Sequence, residues 1–262
     1  MTVLAIFGPT GVGKTGVAIA LAELLRERGG DPVAINCDAL QVYEGLEILT
    51  GAAGEEERRW LEHRLLGFVP VTADFSIADY MPLAHAEIDA ALDAGRTPIV
   101  VGGTGLYLRA ALAELSLRRV PAESADSELW SPRTRHPSRI FGLDMDRASL
   151  YRRIDARTEA IVAAGAAAEA RRADALGAGR TARKALGFDE LLAGDVEAMK
   201  KRSRNYARRQ LTWMRKVPNL TTIDRTTLTD QEAAAAIVSD LAAPNGPRKS
   251  DTPPESGTRG SE

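Results

Sequence analysis

Apolar residues first cluster at Val3-Leu4-Ala5-Ile6-Phe7, a run of five with no polar break. A short unbroken run of this kind predicts a strand buried on both faces. Residues 33–36 and Pro98-Ile99-Val100-Val101-Gly102-Gly103 predict two more. Between these runs, around residues 16–28 and 77–94, the pattern is helical. Gly29-Gly30-Asp31-Pro32 and Ala94-Gly95-Arg96-Thr97-Pro98 are turns that return the chain to the sheet. Alternating buried strands and helices imply an α/β fold, with a parallel sheet covered by helices. Ile140-Phe141-Gly142-Leu143 predicts one further strand. From Asp146 to about Arg215 the pattern is helical, giving the fold a helical C-terminal part. Its alanine-rich stretch, Ala160 to Ala175, keeps charges at helical spacing and reads as a packed helix. Residues 231–242 predict a final helix.

These patterns divide the chain into a core at 1–118, a connection at 119–138, a strand and helical part at 139–243, and a tail at 244–262. The connection is poor in apolar residues and holds Pro121, Pro132 and Pro137. The tail is rich in Pro, Gly, Ser and charge, which buries too little to fold, so disorder is expected there. No internal repeat is evident.

Composition narrows the function class. With 262 residues, 44% hydrophobic and 27% charged, the chain suits one or two globular domains. No apolar run approaches the roughly 18 residues that span a membrane, and no basic-then-apolar leader opens the chain. A cytoplasmic protein without membrane contact is the expectation. The single cysteine, Cys37, excludes an internal disulfide and any multi-cysteine metal site. Net charge is only −2 but uneven: −9 over residues 1–132, +10 over 133–216 and −3 over 217–262. A basic stretch in an otherwise acidic chain points to a polyanionic partner, or else to solvated helix faces.

The first strand runs into Gly8-Pro9-Thr10-Gly11-Val12-Gly13-Lys14-Thr15, a complete G-x-x-x-x-G-K-[ST] phosphate loop, and a helical pattern follows. Its glycines let successive backbone N–H groups point at one anion, and the helix N-terminus adds positive potential. Lys14 can reach phosphate oxygens, and the Thr15 hydroxyl can ligate Mg²⁺. Asp38 follows the second strand, at the sheet edge where the phosphate loop also lies. There it can take a proton or bind Mg²⁺, or it can cap a short helix. Gly102-Gly103-Thr104-Gly105 places a third polar turn at the same edge.

Together these segments resemble the tRNA dimethylallyltransferases, also called tRNA isopentenyltransferases. Gly8–Thr15 is similar to the family's G-P-T-[AG]-x-G-K-[ST]. Asp38–Thr50 is similar to its D-[SA]-x-Q-V-Y-x-G-[ML]-x-[IL]-x-T, and Gly102–Tyr107 to its G-G-T-G-L-Y. Arg204–Arg215 is similar to its R-x-[YL]-A-[KR]-R-Q-[LI]-T-W-[LMF]-R. The resemblance covers roughly residues 3–118 and 139–216.

It implies that the loop, Gly8, Pro9, Thr10, Gly11, Val12, Gly13, Lys14 and Thr15, holds the diphosphate of dimethylallyl diphosphate. It further implies Mg²⁺ as cofactor, with Thr15 as its ligand. The reaction implied is prenyl transfer to N6 of an adenosine beside the anticodon, in the anticodon stem-loop of tRNA. Asp38 is implied as the base, Thr104 as a group near the leaving oxygen, and Arg157 as a diphosphate clamp. Asp38, Ala39, Leu40, Gln41, Thr104, Lys184, Arg204 and Arg208 are implied at the tRNA. Lys200, Lys201, Arg202, Arg204, Arg208, Arg209, Arg215 and Lys216 are candidates for tRNA phosphates. Some of them are expected to be structural, because Arg208 and Arg209 are adjacent on a helix. Tyr206 and Trp213 read as core residues. A monomer is expected.

The chain departs from the family at residues 116–138, which stand where members carry a helical insertion that grips the anticodon stem-loop. The alternatives are a transferase acting on AMP, ADP or ATP, a small-molecule kinase, and an RNA-binding protein with a relict loop. The basic C-terminal segment favours tRNA over a free nucleotide. The Asp38–Thr50 segment argues against a kinase, and intact Lys14, Thr15 and Asp38 argue against a relict.

Overall fold

The computed structural model describes residues 1–116 and 129–243. Residues 119–128 of the connection and the 244–262 tail, with its expected disorder, lie outside the described residues. Among the described residues six strands form one sheet in the order β3-β2-β4-β1-β5-β6, and every pair is parallel. They are β1 (Val3–Phe7), β2 (Pro32–Asn36), β3 (His63–Arg64), β4 (Thr97–Gly102), β5 (Ser138–Asp144) and β6 (Leu220–Asp224). The predicted strands at 3–7, 33–36, 98–103 and 140–143 are therefore β1, β2, β4 and β5. Sequence patterning missed β3 and β6. The first has two residues, too few for a period. The second reads Leu-Thr-Thr-Ile-Asp at a sheet edge and buries only Ile223 fully.

Alternate residues of β1 serve opposite faces, as strand geometry requires. Leu4 and Ile6 pack against α1 (Lys14–Arg26) and α10 (Asp230–Ala242), the last helix among the described residues. Val3, Ala5 and Phe7 pack against α4 (Ile77–Asp93) and α5 (Gly105–Leu112). Two short helices, α2 (Glu47–Thr50) and α3 (Glu55–Trp60), lie between β2 and β3. Ser76 caps α4 through the amides of Ala78 and Asp79, with Asp79 closing the capping box. This cap fixes where the predicted 77–94 helix begins.

The C-terminal helices are α6 (Arg147–Ala163), α7 (Ala166–Ala175), α8 (Phe188–Leu192) and α9 (Val196–Met214). The alanine-rich stretch is two helices, divided at Gly165 with φ +105°. A third core joins these helices to the segment after β2. Val42, Tyr43, Leu46 and Leu49 pack with Ala166, Ala173, Phe188, Leu191 and Met199.

Glu169 locks that joint. It is 4% exposed, and its carboxylate accepts from the amides of Ile48 (3.0 Å) and Leu49 (2.8 Å) in α2. Burial raises its pKa, and the two N–H groups oppose that shift. Leu46 at the start of α2 has no side-chain oxygen, so the cap comes from α7 instead. Glu169→Ala takes the partner from a buried N–H at Leu49 and a half-buried one at Ile48. It is expected to lower unfolding stability by about 1–3 kcal/mol, read as a shifted urea midpoint at unchanged slope.

Candidate active site

The loop Gly8–Thr15 leaves the C-terminal end of β1, and its last two residues open α1. Gly11 and Gly13 adopt φ of +83° and +93°, which residues with a Cβ adopt only at a cost. The side chain of Val12 is buried in the core, so the loop presents backbone to the site. Lys14 folds back over its own loop, and its Nζ donates to the carbonyls of Pro9 (3.0 Å) and Gly8 (3.1 Å). Burial pushes its ammonium down to about 8, with Asp38 opposing the shift and Arg157 adding to it.

The loop forms one wall of a cleft of about 340 Å³. Thr10, Gly11, Gly13, Lys14 and Thr15 line it together with Asp38, Gln41 and Arg157. A second wall is apolar: Leu40, Leu49, Ile154, Ile161, Leu186 and Met199. A cationic, amide-rich wall facing an apolar one suits a ligand with an anionic head and a hydrocarbon tail.

Asp38 sits directly beyond β2. Buried Asn36 holds its backbone on both sides: Oδ1 accepts from Asp38 N (2.9 Å), and Nδ2 donates to Asp38 O (3.1 Å). Asp38 Oδ1 accepts from Leu40 N at 3.0 Å. This is the capping bond of the alternative reading, but a turn rather than a helix follows. The other carboxylate oxygen takes no hydrogen bond among the described residues and is available at the cleft.

Thr104 precedes α5. Its Oγ1 accepts from Ala39 N at 3.2 Å, joining the second and third motifs. Gly103 leaves room for Gln210, whose amide nitrogen a Cβ there would strike. Arg157 Nη2 donates to Gly51 O (3.1 Å) and Thr50 O (3.4 Å) at the end of α2. Gln41 Nε2 donates to the same two carbonyls. Gly51 adopts φ +59° there, the left-handed region that favours glycine, and a Cβ would displace the Arg157 guanidinium. Lys184 is exposed, two residues before Leu186 of the apolar wall.

The basic segment divides differently from expectation. Lys200 pairs with Glu159 (2.7 Å) and Glu197 (2.8 Å), Arg202 with Glu190 (2.9 Å), and Arg204 with Asp155 (2.6 Å). These three are half-buried structural cations. Arg204, which the resemblance implies at the tRNA, pairs with Asp155 and ties α9 to α6 in this structure. Arg208 and Arg209 do not separate as expected. Both are exposed and border one surface groove with Asn205, Thr212 and Trp213.

Several site residues escaped the sequence reading. Gln210 accepts from Thr10 N (2.8 Å) and donates to Gly103 O (2.8 Å), so it bridges the phosphate loop and the third motif. A glutamine on the buried stripe Met199, Ser203, Ala207, Gln210, Met214 was its available signal. Tyr206 lines the cleft rather than the core, and burial pushes its phenol upward. Arg153 and Arg225 contact the loop from behind. Nothing local in the sequence marks Arg225, which lies far along the chain.

The IPP transferase family model matches residues 41–133 and 118–217, and the isopentenyl transferase model matches residues 1–78. A tRNA dimethylallyltransferase of Pseudarthrobacter chlorophenolicus is 35% identical over 283 residues, covering 85% of this chain and 93% of that protein. This chain belongs to the tRNA dimethylallyltransferase family. A second member, from Rhodospirillum centenum, is 36% identical and covers 81% of this chain and 88% of its own. The tRNA isopentenylpyrophosphate transferase of Bacillus halodurans superposes with a TM-score of 0.77 at 26% identity, covering 92% of this chain and 95% of its own. The 283-residue alignment is longer than this 262-residue chain, so the family member carries residues that this chain lacks. The two IPP transferase matches meet at 118–133, the position expected to lack the insertion.

Proposed function

We propose that this chain transfers a dimethylallyl group from dimethylallyl diphosphate to N6 of an adenosine next to the anticodon in tRNA. The observation that carries this reading is one cleft in which the phosphate loop, Asp38 and an apolar wall meet. The diphosphate lies on the loop amides, with Lys14 and Arg157 neutralising its charge. The five-carbon chain lies against Leu49, Ile154 and Met199. The N6 nitrogen attacks C1 of the donor, the C1–O bond breaks, and diphosphate departs. The N6 proton passes to the free oxygen of Asp38. The amine is a weak nucleophile because its lone pair is delocalised into the purine, so a placed base matters.

The residues fit Mg²⁺ as cofactor. Among the described residues no cluster of three His, Cys, Asp or Glu could hold a metal by itself. Mg²⁺ instead favours a few hard protein oxygens, water and substrate phosphate, which the Thr15 hydroxyl at the cleft allows. When bound it stabilises the departing diphosphate charge.

Relatives named for tRNA modification support tRNA as acceptor, and so do the exposed cations of α9. A free nucleotide as acceptor is the second reading. Among the described residues no helix is long and apolar enough to cross a membrane, and the proposal is a cytoplasmic monomer. The deciding experiment offers labelled dimethylallyl diphosphate and Mg²⁺ with tRNA, AMP or ATP separately. Label in tRNA alone is expected. Label in AMP or ATP alone sinks the tRNA reading, and phosphorylation of an acceptor by ATP without prenyl transfer sinks the enzyme class.

Lys14 sets a pH limit. Its cation holds the donor, so deprotonation weakens capture. With its pKa at about 8 in the free enzyme, kcat/KM for the donor is expected to fall as pH rises through 8. The slope approaches about tenfold per pH unit above that point, since kcat/KM reports free-enzyme groups. A flat donor profile from pH 7 to 9.5 removes Lys14 from donor capture.

A further inference from the structure

Three consecutive carbonyls of the phosphate loop accept from guanidinium groups. Arg153 Nε donates to Gly11 O at 3.0 Å. Arg225 Nη1 donates to Val12 O at 3.0 Å and Gly13 O at 3.4 Å. In a trans peptide the C=O and the following N–H point opposite ways. Drawing these carbonyls backward turns the N–H groups of Gly13 and Lys14 toward the cleft, while the Val12 N–H donates within the loop to Pro9 O at 3.4 Å. Both arginines press on the loop at Gly13, where a Cβ would stand 2.5 Å from Arg225 Nη1 and 3.1 Å from Arg153 Nη2.

Arg225 is an expensive residue to place there. It is 3% exposed, and its Nε is buried with no hydrogen-bond partner among the described residues. An unpaired buried donor costs free energy. Its second nitrogen, Nη2, is held by Asp230 Oδ1 (2.6 Å) and Leu228 O (3.2 Å). Arg225 follows β6, and Asp230 opens α10. Both lie beyond residue 217, where the family-model matches end.

We propose that Arg153 and Arg225 are positioning residues that preorganise the phosphate loop for the donor's diphosphate, which makes the β6–α10 unit a working part of the donor site. The inference rests on the donor-site reading above. Neither side chain needs to touch the donor, because each acts through loop carbonyls. Arg225→Lys supplies one point charge in place of a fork, so it cannot hold the loop and Asp230 in the same geometry.

The test is calorimetric binding of inorganic pyrophosphate with Mg²⁺ to the full chain. Wild type, Arg153→Ala, Arg225→Ala and Arg225→Lys are compared, with thermal melts alongside. Each charge-assisted bond lost is expected to weaken pyrophosphate binding about tenfold. Added guanidinium ion restores part of the loss in Arg225→Ala, which a general packing defect would not allow. In turnover the donor KM rises by more than kcat falls. Arg153 lies on an exposed helix surface, so Arg153→Ala decides alone if Arg225→Ala does not fold. Pyrophosphate affinities within twofold of wild type in the folded variants overturn the inference. Failure of wild type itself to bind pyrophosphate overturns the donor-site reading, and the inference with it.

Discussion

Asp38→Asn is expected to lower kcat by about 10²–10⁴-fold, the usual cost of losing a placed general base. Asparagine is nearly isosteric. Its carbonyl oxygen can still accept from Leu40 N, and Asn36 still holds the backbone. The turn should survive, and the melting temperature should stay within a few degrees. What disappears is the oxygen with no protein partner, the one able to take the N6 proton. Asp38 also raises the pKa of Lys14, which burial already depresses. Its neutralisation therefore pushes Lys14 further down, and donor capture suffers at alkaline pH. Measured at pH 7 or below, with donor and tRNA saturating, the variant isolates the proton-transfer defect. Turnover within tenfold of wild type under those conditions takes Asp38 out of the base role.

The parts of the fold that were legible in the sequence are those with dense local signals. Strands β1, β2, β4 and β5 are unbroken apolar runs, and the phosphate loop is contiguous. Strand β6 was not legible, because a half-exposed edge strand with two threonines looks like a loop. At the site, the family resemblance names Lys14, Asp38 and Arg157, and the structure brings them to one cleft. The groups that hold those motifs in place were not legible. Glu169 reaches α2 across 120 residues, and Arg225 reaches the loop across more than 200. Such contacts exist only after the chain has folded, and a lone charged residue carries no local mark of its partner. Ion pairing among the basic residues was hidden for the same reason. Charge alone cannot tell Arg204, tied to Asp155, from exposed Arg208.

That division sets the expected salt dependence of RNA binding. Of the eight cations at 200–216, Lys200, Arg202 and Arg204 are held in ion pairs. Lys201, Arg208, Arg209, Arg215 and Lys216 are exposed, with no ion pair among the described residues. Each phosphate contact contributes roughly 0.7–0.9 to the slope of log affinity against log salt. Five contacts give a slope of about −3.5 to −4.5, so affinity falls roughly 10²–10³-fold between about 50 and 200 mM salt. A family member that carries the insertion adds contacts, and it should bind the same tRNA more tightly and with a steeper slope. Charge-neutralising Arg208 and Arg209 together should flatten the slope by nearly two units, because both border the same groove. Neutralising Arg204 should leave the slope nearly unchanged and lower stability instead, since its charge already faces Asp155. Equal slopes for this chain and an insertion-bearing relative would show that the insertion makes no phosphate contacts. A slope change on removing Arg204 as large as that on removing Arg208 would show that the ion pair opens on RNA.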